Sequence, residues 1–322
     1  MKCGDFNPGQ GVGVAAGAEK GSTAPVPDEF GQYQEKIPNR VSPSILVDFQ
    51  GRIRRGTPVL HDSVLMVNTL PTLAVWSSAP AKPELSEDEV HVWRASLRLA
   101  PEVLQRLDAT LKPDEKSRAA RFVFPEGRGD FIAARGILRE LLGAYLQRPP
   151  ASLEFEYGLR GKPALQAGDT SVSIRFSLSH SHGLALYAFA RRREVGIDLE
   201  LVQPDFGGEA VAERFFSNPE LTELRALPAE LRAEGFFACW TRKEAYMKGR
   251  GDGLQIPLDS FDVSLTPGRP AELHSSDCAR WSLRAFQPAP RFVAAVVGEG
   301  GGWRLRHFEW APRKHNRHSV GS

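Results

Sequence analysis

The chain has 322 residues, 41% of them hydrophobic, which is enough for one large domain or two modest ones with a buried core. Its 41 basic and 39 acidic residues give a formal charge of only +2, and the basic residues gather in local patches, which favour a small anionic ligand over nucleic acid. The 3 cysteines are too few and too widely spaced for a disulfide framework, and no apolar run reaches the ~20 residues that span a bilayer. We therefore expect a cytoplasmic protein without a membrane partner.

The composition of the first half of the chain changes near residue 89. Residues 1–88 are rich in Gly, Pro, Ser and Ala, which predicts a flexible N-terminal extension. A strand is predicted from His91 onward in HVWRASLRL, and helical spacing of apolar residues predicts helices over 101–111, 113–122 and 131–147. Short apolar runs between turn residues predict strands over 153–157, 173–178, 184–190 and 195–201.

The second half repeats this order of helices and then strands. Helices are predicted over 210–216, 218–225 and 231–248, and strands over 261–265, 281–286, 292–297 and 303–308. The repetition predicts an α+β protein with two similar lobes, residues 89–195 and 196–312, followed by a tail over 313–322. A functional site is expected in the cleft between the lobes.

Candidate chemistry begins with the strand VGIDLE at 195–200. Asp198 and Glu200 alternate with apolar residues and therefore share one face of that strand. In the helix 231–248, Glu244 and Lys248 share a face with Trp240. Three carboxylates without His or Cys form a hard oxygen site, which suits Mg²⁺ and phosphate chemistry. The alternative is an exposed strand edge and an ordinary surface ion pair.

Four motifs in order resemble those of the 4′-phosphopantetheinyl transferases of the Sfp type. They are FSLSHS at 176–181, VGIDLE at 195–200, RFFSNPE at 214–220 and WTRKEAYMK at 240–248. Each motif is weak alone, whereas four in the family's order are specific. The resemblance covers residues 90 to 310 and does not extend to the first 88.

The resemblance implies a fold and a reaction. The fold is a pseudo-dimer of two α/β lobes in one chain, so a monomer is expected. The reaction moves the 4′-phosphopantetheine arm of coenzyme A to a serine of an acidic acyl or peptidyl carrier protein and releases adenosine 3′,5′-bisphosphate. An edge near Phe215, Phe216 and Leu221 is expected to receive the carrier protein.

The resemblance also implies catalytic and metal-binding residues. By similarity, Asp198, Glu200 and Glu244 hold Mg²⁺ against the diphosphate of coenzyme A. Lys248 is expected near the leaving group, where a cation can stabilise or protonate the departing phosphate. Glu220 and Glu200 are both candidates for the base that takes the proton of the carrier serine.

Contacts with coenzyme A follow from the same resemblance. They fall on Lys162, Ser179, His180, Lys243 and Lys248, with Lys116 and Arg118 at the 3′-phosphate. Glu115 stands where the family has a basic residue, so Arg128 and Arg135 are alternatives there.

Two other functions are considered. One is a carrier-protein-binding scaffold that kept the fold and lost turnover, and the other is a different Mg²⁺-dependent phosphotransferase or hydrolase. The complete set of Asp198, Glu200, Glu244 and Lys248 disfavours the scaffold, and the sequence has no G-x-x-x-x-G-K-[ST] loop to support the second.

Overall fold

A computed structural model describes residues 73–78, 80, 82–158, 162–166, 173–251 and 256–312. The predicted extension therefore lies outside the described residues as far as position 72, and the predicted tail 313–322 lies outside them entirely. Residues 73–78 and 82–88, which were assigned to the extension, belong to the fold. Ala74 donates its backbone N–H to the carbonyl of Gln287 over 2.9 Å.

The helices and long strands form where the apolar spacing predicts them. The first half contains β1 (Ser77–Ser78), β2 (Glu89–Ser96), α1 (Pro101–Asp108), α2 (Pro113–Ala119), α3 (Pro125–Leu146), β3 (Phe155–Tyr157), β4 (Pro163–Leu165), β5 (Ile174–Ser181), β6 (Leu184–Arg191) and β7 (Val195–Leu201). The second half contains α4 (Glu209–Phe215), α5 (Asn218–Ala226), α6 (Ala229–Arg250), β8 (Asp262–Val263), β9 (Leu273–His274), β10 (Trp281–Phe286), β11 (Phe292–Glu299) and β12 (Arg304–Glu309). The short strands β1, β4 and β9 were not predicted.

Two sheets carry the long strands. The first has the order β1-β12-β2-β6-β5, and the second has the order β10-β11-β7. Strand β12 pairs in parallel with β2, with Phe308 opposite Trp93. The last strand was assigned to the second lobe, 196–312, and this assignment was wrong because β12 completes the sheet of the first lobe.

The core has three layers of packing. Val195, Ile197 and Leu199 of β7 pack against Val90 and Leu186 of the first sheet, so the two sheets bury their facing sides against each other. The 22-residue helix α3 packs against the other face of the first sheet. The 22-residue helix α6 does the same for the second sheet. These two similar halves confirm the prediction of an α+β protein with two lobes.

Helix α6 approaches β7 unusually closely at Gly196. A Cβ atom there would lie 2.0 Å from the carbonyl oxygen of Ala245 and 2.2 Å from the backbone nitrogen of Gly249. Only glycine fits this contact. The close approach brings the last turns of α6 against the strand that carries Asp198 and Glu200.

In the part of the chain that the structure describes, no helix is both long and apolar enough to cross a membrane.

Candidate active site

Asp198 and Glu200 point away from the apolar layer between the sheets. The alternation of β7 sends Ile197 and Leu199 into that layer and the two carboxylates towards α6. Asp198 is only 4% exposed. The predicted shared face of the two acids is therefore present, and it is not an exposed strand edge.

A row of serines joins β5 to β7, although these strands belong to different sheets. Its bonds run from the N–H of Ile197 to Ser177 Oγ (3.2 Å), from Ser179 Oγ to Asp198 Oδ1 (2.7 Å) and from Ser181 Oγ to Glu200 Oε2 (2.8 Å). Each strand presents every second residue to the other. Ser181 was not among the predicted site residues, and its alternation with Ser179 was the signal that could have revealed it.

Lys248 is the cation nearest to these acids. Its Nζ lies 2.8 Å from Asp198 Oδ1. The main chain of the same residue is held by Lys162, whose Nζ donates to the Lys248 carbonyl over 2.7 Å and to the Val195 carbonyl over 3.4 Å. Lys162 thus ties the end of α6 to the start of β7, where the helix stops at Gly251 with a φ of 75°.

Electrostatic interactions among the carboxylates shift the pKa of Glu200. Burial, together with the negative charges of Asp198 and Glu244, raises the pKa of Glu200 to about 8. The hydrogen bond from Ser181 and the charge of Lys248 oppose this rise in pKa. Glu244, itself 2% exposed, therefore lies near Glu200, as predicted from its place on α6.

The carboxylate oxygens of Asp198 are ligands that suit a hard cation. Asp198 Oδ2 is buried and has no hydrogen-bond partner among the described residues, while Oδ1 is bound by Ser179 and Lys248. Across the same residues, no three His, Cys, Asp or Glu side chains converge closely enough to hold a metal ion. The ammonium of Lys248 supplies the positive charge instead, so binding of Mg²⁺ requires the carboxylates to draw together.

Glu220, one of the two predicted bases, lies elsewhere. Its Oε2 accepts the N–H of Ser217 over 2.9 Å and is 2.8 Å from Lys243 Nζ, and its Oε1 accepts the N–H of Val263 over 2.8 Å. The residue is 1% exposed. One oxygen therefore serves the capping box of α5 and a buried ion pair while the other binds the backbone of β8, which argues against the predicted role as base.

Lys243 was predicted to bind coenzyme A, and its contacts argue against this prediction too. It is fully buried. Its Nζ donates to the carbonyls of Leu258 and Phe261, each over 2.6 Å, and pairs with Glu220. All these partners belong to the protein interior, so Lys243 holds the segment after α6 in place.

The predicted contacts Ser179 and His180 separate onto two faces of β5. Ser179 faces Asp198, whereas His180 lies on the face that carries Phe176 and Leu178 into the core of the first lobe. His180 is partly exposed at the end of that face. The structure thus brings Ser179, rather than His180, to the carboxylates.

The predicted residues for the 3′-phosphate differ in exposure. Lys116 is exposed and its Nζ lies 3.8 Å from Asp108 Oδ2, and Arg128 is exposed as well. Arg118 is 9% exposed, with its guanidinium 5.6 Å from the ring centre of Phe131. Lys116 and Arg128 are therefore the two of these that solvent reaches freely.

Glu115 explains the departure from the family's basic pattern. It is buried, its Oε2 accepts from Arg139 Nε over 2.8 Å, and its Oε1 lies 3.5 Å from Arg135 Nε. The same side chain caps α2 by accepting the N–H of Lys112 over 2.9 Å. Glu115 thus balances two buried arginines, and Arg135, with no exposed surface, is enclosed by this cluster.

Family models of known proteins match residues in both lobes. Residues 93–191 match a family model described as 4'-phosphopantetheinyl transferase, N-terminal, and residues 194–297 match one described as the 4'-phosphopantetheinyl transferase superfamily. The chain is 43% identical over 235 residues to the 4'-phosphopantetheinyl transferase HetI of Nostoc sp. (strain PCC 7120). This alignment covers 73% of this chain and 98% of HetI. This chain belongs to the 4′-phosphopantetheinyl transferases.

The Sfp-type resemblance is confirmed as well. The transferase is 28% identical over 199 residues to the 4'-phosphopantetheinyl transferase Sfp of Bacillus subtilis (strain 168), covering 62% of this chain and 86% of Sfp. A solved ACPS-CoA complex of Chronobacterium ammoniagenes is also similar, at 16% identity and a TM-score of 0.27, over 34% of this chain and 98% of that one. The family models and the transferase relatives HetI and Sfp show that the protein is an enzyme that transfers 4′-phosphopantetheine to carrier proteins, and they do not support the scaffold alternative.

Proposed function

We propose that this transferase takes its 4′-phosphopantetheine from coenzyme A, with Asp198, Glu200 and Glu244 as the ligands of Mg²⁺. One observation carries the proposal. Asp198 is buried, one of its oxygens is fixed by Ser179 and Lys248, and the other has no partner within the described chain. A buried carboxylate oxygen without a partner costs free energy, and a hard cation removes that cost.

Each residue then has a defined task in the reaction. The oxygen of the carrier serine forms a bond to the β-phosphorus, and the bond between that phosphorus and the bridging oxygen breaks. Mg²⁺, when bound, neutralises charge on the diphosphate. Glu200, the remaining candidate base, takes the serine proton, and its bond from Ser181 holds it beside Asp198.

Lys248 changes partner during this reaction. Its Nζ bonds Asp198 in the protein alone, at 2.8 Å. If a cation were held by Asp198, the flexible side chain of Lys248 would be available to the leaving phosphate of adenosine 3′,5′-bisphosphate, which it would stabilise or protonate. Lys116 and Arg128 are the exposed cations that we assign to the 3′-phosphate.

We further propose that an acidic carrier protein docks on α4 and α5. Phe216, part of the predicted edge, is 3% exposed and belongs to the core, so the contact falls on the partly exposed Phe215 and Leu221. The exposed Arg214 lies over the ring of Phe215 at 5.1 Å and supplies positive charge. The enzyme is proposed to act as a monomer, because one chain carries both lobes, and to act in the cytoplasm.

The test combines turnover with metal binding. The enzyme is incubated with coenzyme A, Mg²⁺ and an apo carrier protein, and the phosphopantetheine adduct is measured by mass spectrometry. Asp198→Ala is expected to lower turnover by at least about 100-fold and to abolish the heat of Mg²⁺ binding in calorimetry, while the far-ultraviolet circular dichroism is unchanged. Asp205→Asn, an exposed acid near the end of β7, is the matched control.

Near-normal turnover of Asp198→Ala would refute the metal assignment. Full turnover with another phosphopantetheine donor and none with coenzyme A would refute the choice of donor.

A further inference from the structure

A pocket lies on α6, apart from the residues proposed for transfer. Its volume is about 270 Å³. We call it the Arg242 pocket, and its lining includes Glu234, Ala238, Arg242, Arg269, Ala271, Phe286 and Val293. None of the residues assigned above to Mg²⁺, coenzyme A or the carrier protein lines it. Its size lies just below the usual range for ligand pockets, which suits a small ligand.

Arg242 is a buried cation without an ion pair in the described chain. It is 3% exposed, and its Nη1 donates to the carbonyl and, over 3.0 Å, to Oγ of Ser264. Its Nε is buried and has no hydrogen-bond partner among the described residues. Burial lowers the pKa of Arg242, and the charge of Glu223 partly opposes this, although Glu223 forms no ion pair with Arg242 and its Oε1 accepts from Thr266. A buried guanidinium is normally balanced by an anion, so a ligand is expected to supply one.

The wall opposite α6 is fixed in place. Ser264 Oγ donates to the carbonyl of Pro270 over 3.0 Å and accepts the N–H of Glu272 over 2.8 Å. These bonds hold the 267–271 loop, whose turn contains Gly268 at a φ of 78°. The pocket is therefore formed before any ligand arrives.

The charges and walls of the pocket define the class of ligand. Arg242 and the exposed Arg269 are positive, and Glu234 is the acid that lines the same space. The balance of charge favours an anion with a single negative charge over a phosphate. Ala238, Phe286 and Val293 are buried apolar walls that suit a hydrocarbon body.

We propose that the Arg242 pocket binds a small monocarboxylate with an apolar body, whose carboxylate pairs with the guanidinium of Arg242 and whose hydrocarbon part contacts Phe286. This site is distinct from the transfer site and does not depend on how that site works.

The test uses sodium benzoate and sodium propionate as probes, benzamide as the uncharged control and inorganic phosphate as the other anion. Binding to the full chain is measured by saturation-transfer NMR and calorimetry at millimolar concentration. Benzoate is expected to bind and benzamide not to bind. Arg242→Met should weaken benzoate binding by at least about tenfold, and Arg269→Ala by about threefold.

Two further variants serve as controls, one that blocks the pocket and one that changes an arginine outside it. Ala271→Phe fills the pocket and should abolish binding with the charges intact, which keeps the proposal testable if Arg242→Met does not fold. Arg304→Ala, an exposed arginine of β12, should bind benzoate like the wild type. Transferase turnover serves as the fold check. The proposal is overturned if neither acid binds, if phosphate alone binds, or if Ala271→Phe binds benzoate normally.

Discussion

Ser181 holds Glu200 by a single hydrogen bond of 2.8 Å, and this bond has a measurable role in the proposed reaction. Without it, the Glu200 carboxylate keeps its place on β7 but gains freedom to rotate. Ser181→Ala is therefore expected to lower kcat by about tenfold with little change in KM for coenzyme A. Steady-state kinetics with the carrier protein measures both constants, and Ser181→Thr should recover most of the loss. An equal rise in KM would indicate a role in substrate binding instead.

His307, which is not part of the transfer site, is expected to make the free energy of unfolding depend on pH. Its ring lies between Trp76 and Phe286, at 5.0 and 4.9 Å between ring centres, and burial lowers the pKa of His307 to about 4. In the unfolded chain a histidine has a pKa near 6.5. Between these values the unfolded state binds a proton that the folded state does not, so the free energy of unfolding falls as pH drops from about 6.5 to about 4.

The prediction is that His307→Phe flattens this dependence. Urea unfolding is followed at several pH values across the window, and the variant should lose less stability than the wild type on acidification. His274→Gln, at an exposed histidine of β9, is the control and should behave as the wild type. An unchanged slope in His307→Phe would contradict the assignment.

The sequence predicts the transfer site at residue level only where local geometry is decisive. Asp198 and Glu200 share a face because a strand alternates, and Glu244 and Lys248 share one because a helix turns every 3.6 residues on average. Glu220 is only partly predictable in this way. The S-x-x-E spacing from Ser217 signals its capping box, but its other partners, Val263 and Lys243, are distant in the chain and no local pattern signals them.

At the level of elements, the contact between β7 and α6 depends on Gly196. A methyl group there would overlap the backbone of Ala245 and Gly249. Unlike a side chain, the backbone cannot relieve such a clash by changing rotamer. Gly196→Ala is therefore expected to cost more than about 4 kcal/mol in the free energy of unfolding and to separate Lys248 from Asp198. Chemical denaturation measures the first effect and turnover the second.

The matched control is Gly207→Ala, because a Cβ atom at Gly207 would meet nothing within 4 Å. This variant should change stability by less than about 1 kcal/mol. Equal effects of the two substitutions would show that the close approach is not what Gly196 provides.

The predicted elements agree with the observed ones for a physical reason. Long helices such as α6 and strands such as β7 carry enough periodic apolar residues to define their type. Strands β4 and β9 contain three and two residues, which is too few for any period to be visible. The early start of α3 at Pro125 follows from the preference of proline for the first turn of a helix.

On the scale of the whole molecule, the two lobes are interlocked rather than consecutive. Strand β12 follows the second sheet in the chain yet pairs with β2 of the first. Sequence periodicity gives the type of a strand but not its partner, which is why the division at residue 196 placed β12 in the wrong lobe. The two lobes are therefore expected to unfold in one transition.

Truncation tests this interlocking. A chain that ends at Gly302 loses β12 together with the buried side chains of Trp303 and Phe308, and neither lobe is expected to fold. A chain that ends at Pro312 keeps every described residue and is the control. Tryptophan fluorescence and circular dichroism should give coincident unfolding curves for the control. A folded second lobe in the shorter chain would contradict the prediction.

The position of β12 also determines when the enzyme can first exist during its synthesis. The ribosome releases the chain from the N-terminus, and a domain that is continuous in sequence can fold before the next one is made. Here the first sheet lacks the strand between β1 and β2 until residue 309 has left the exit tunnel. The nascent protein must therefore keep its first lobe incomplete while the second is translated, and it is expected to gain activity only after β12 has emerged.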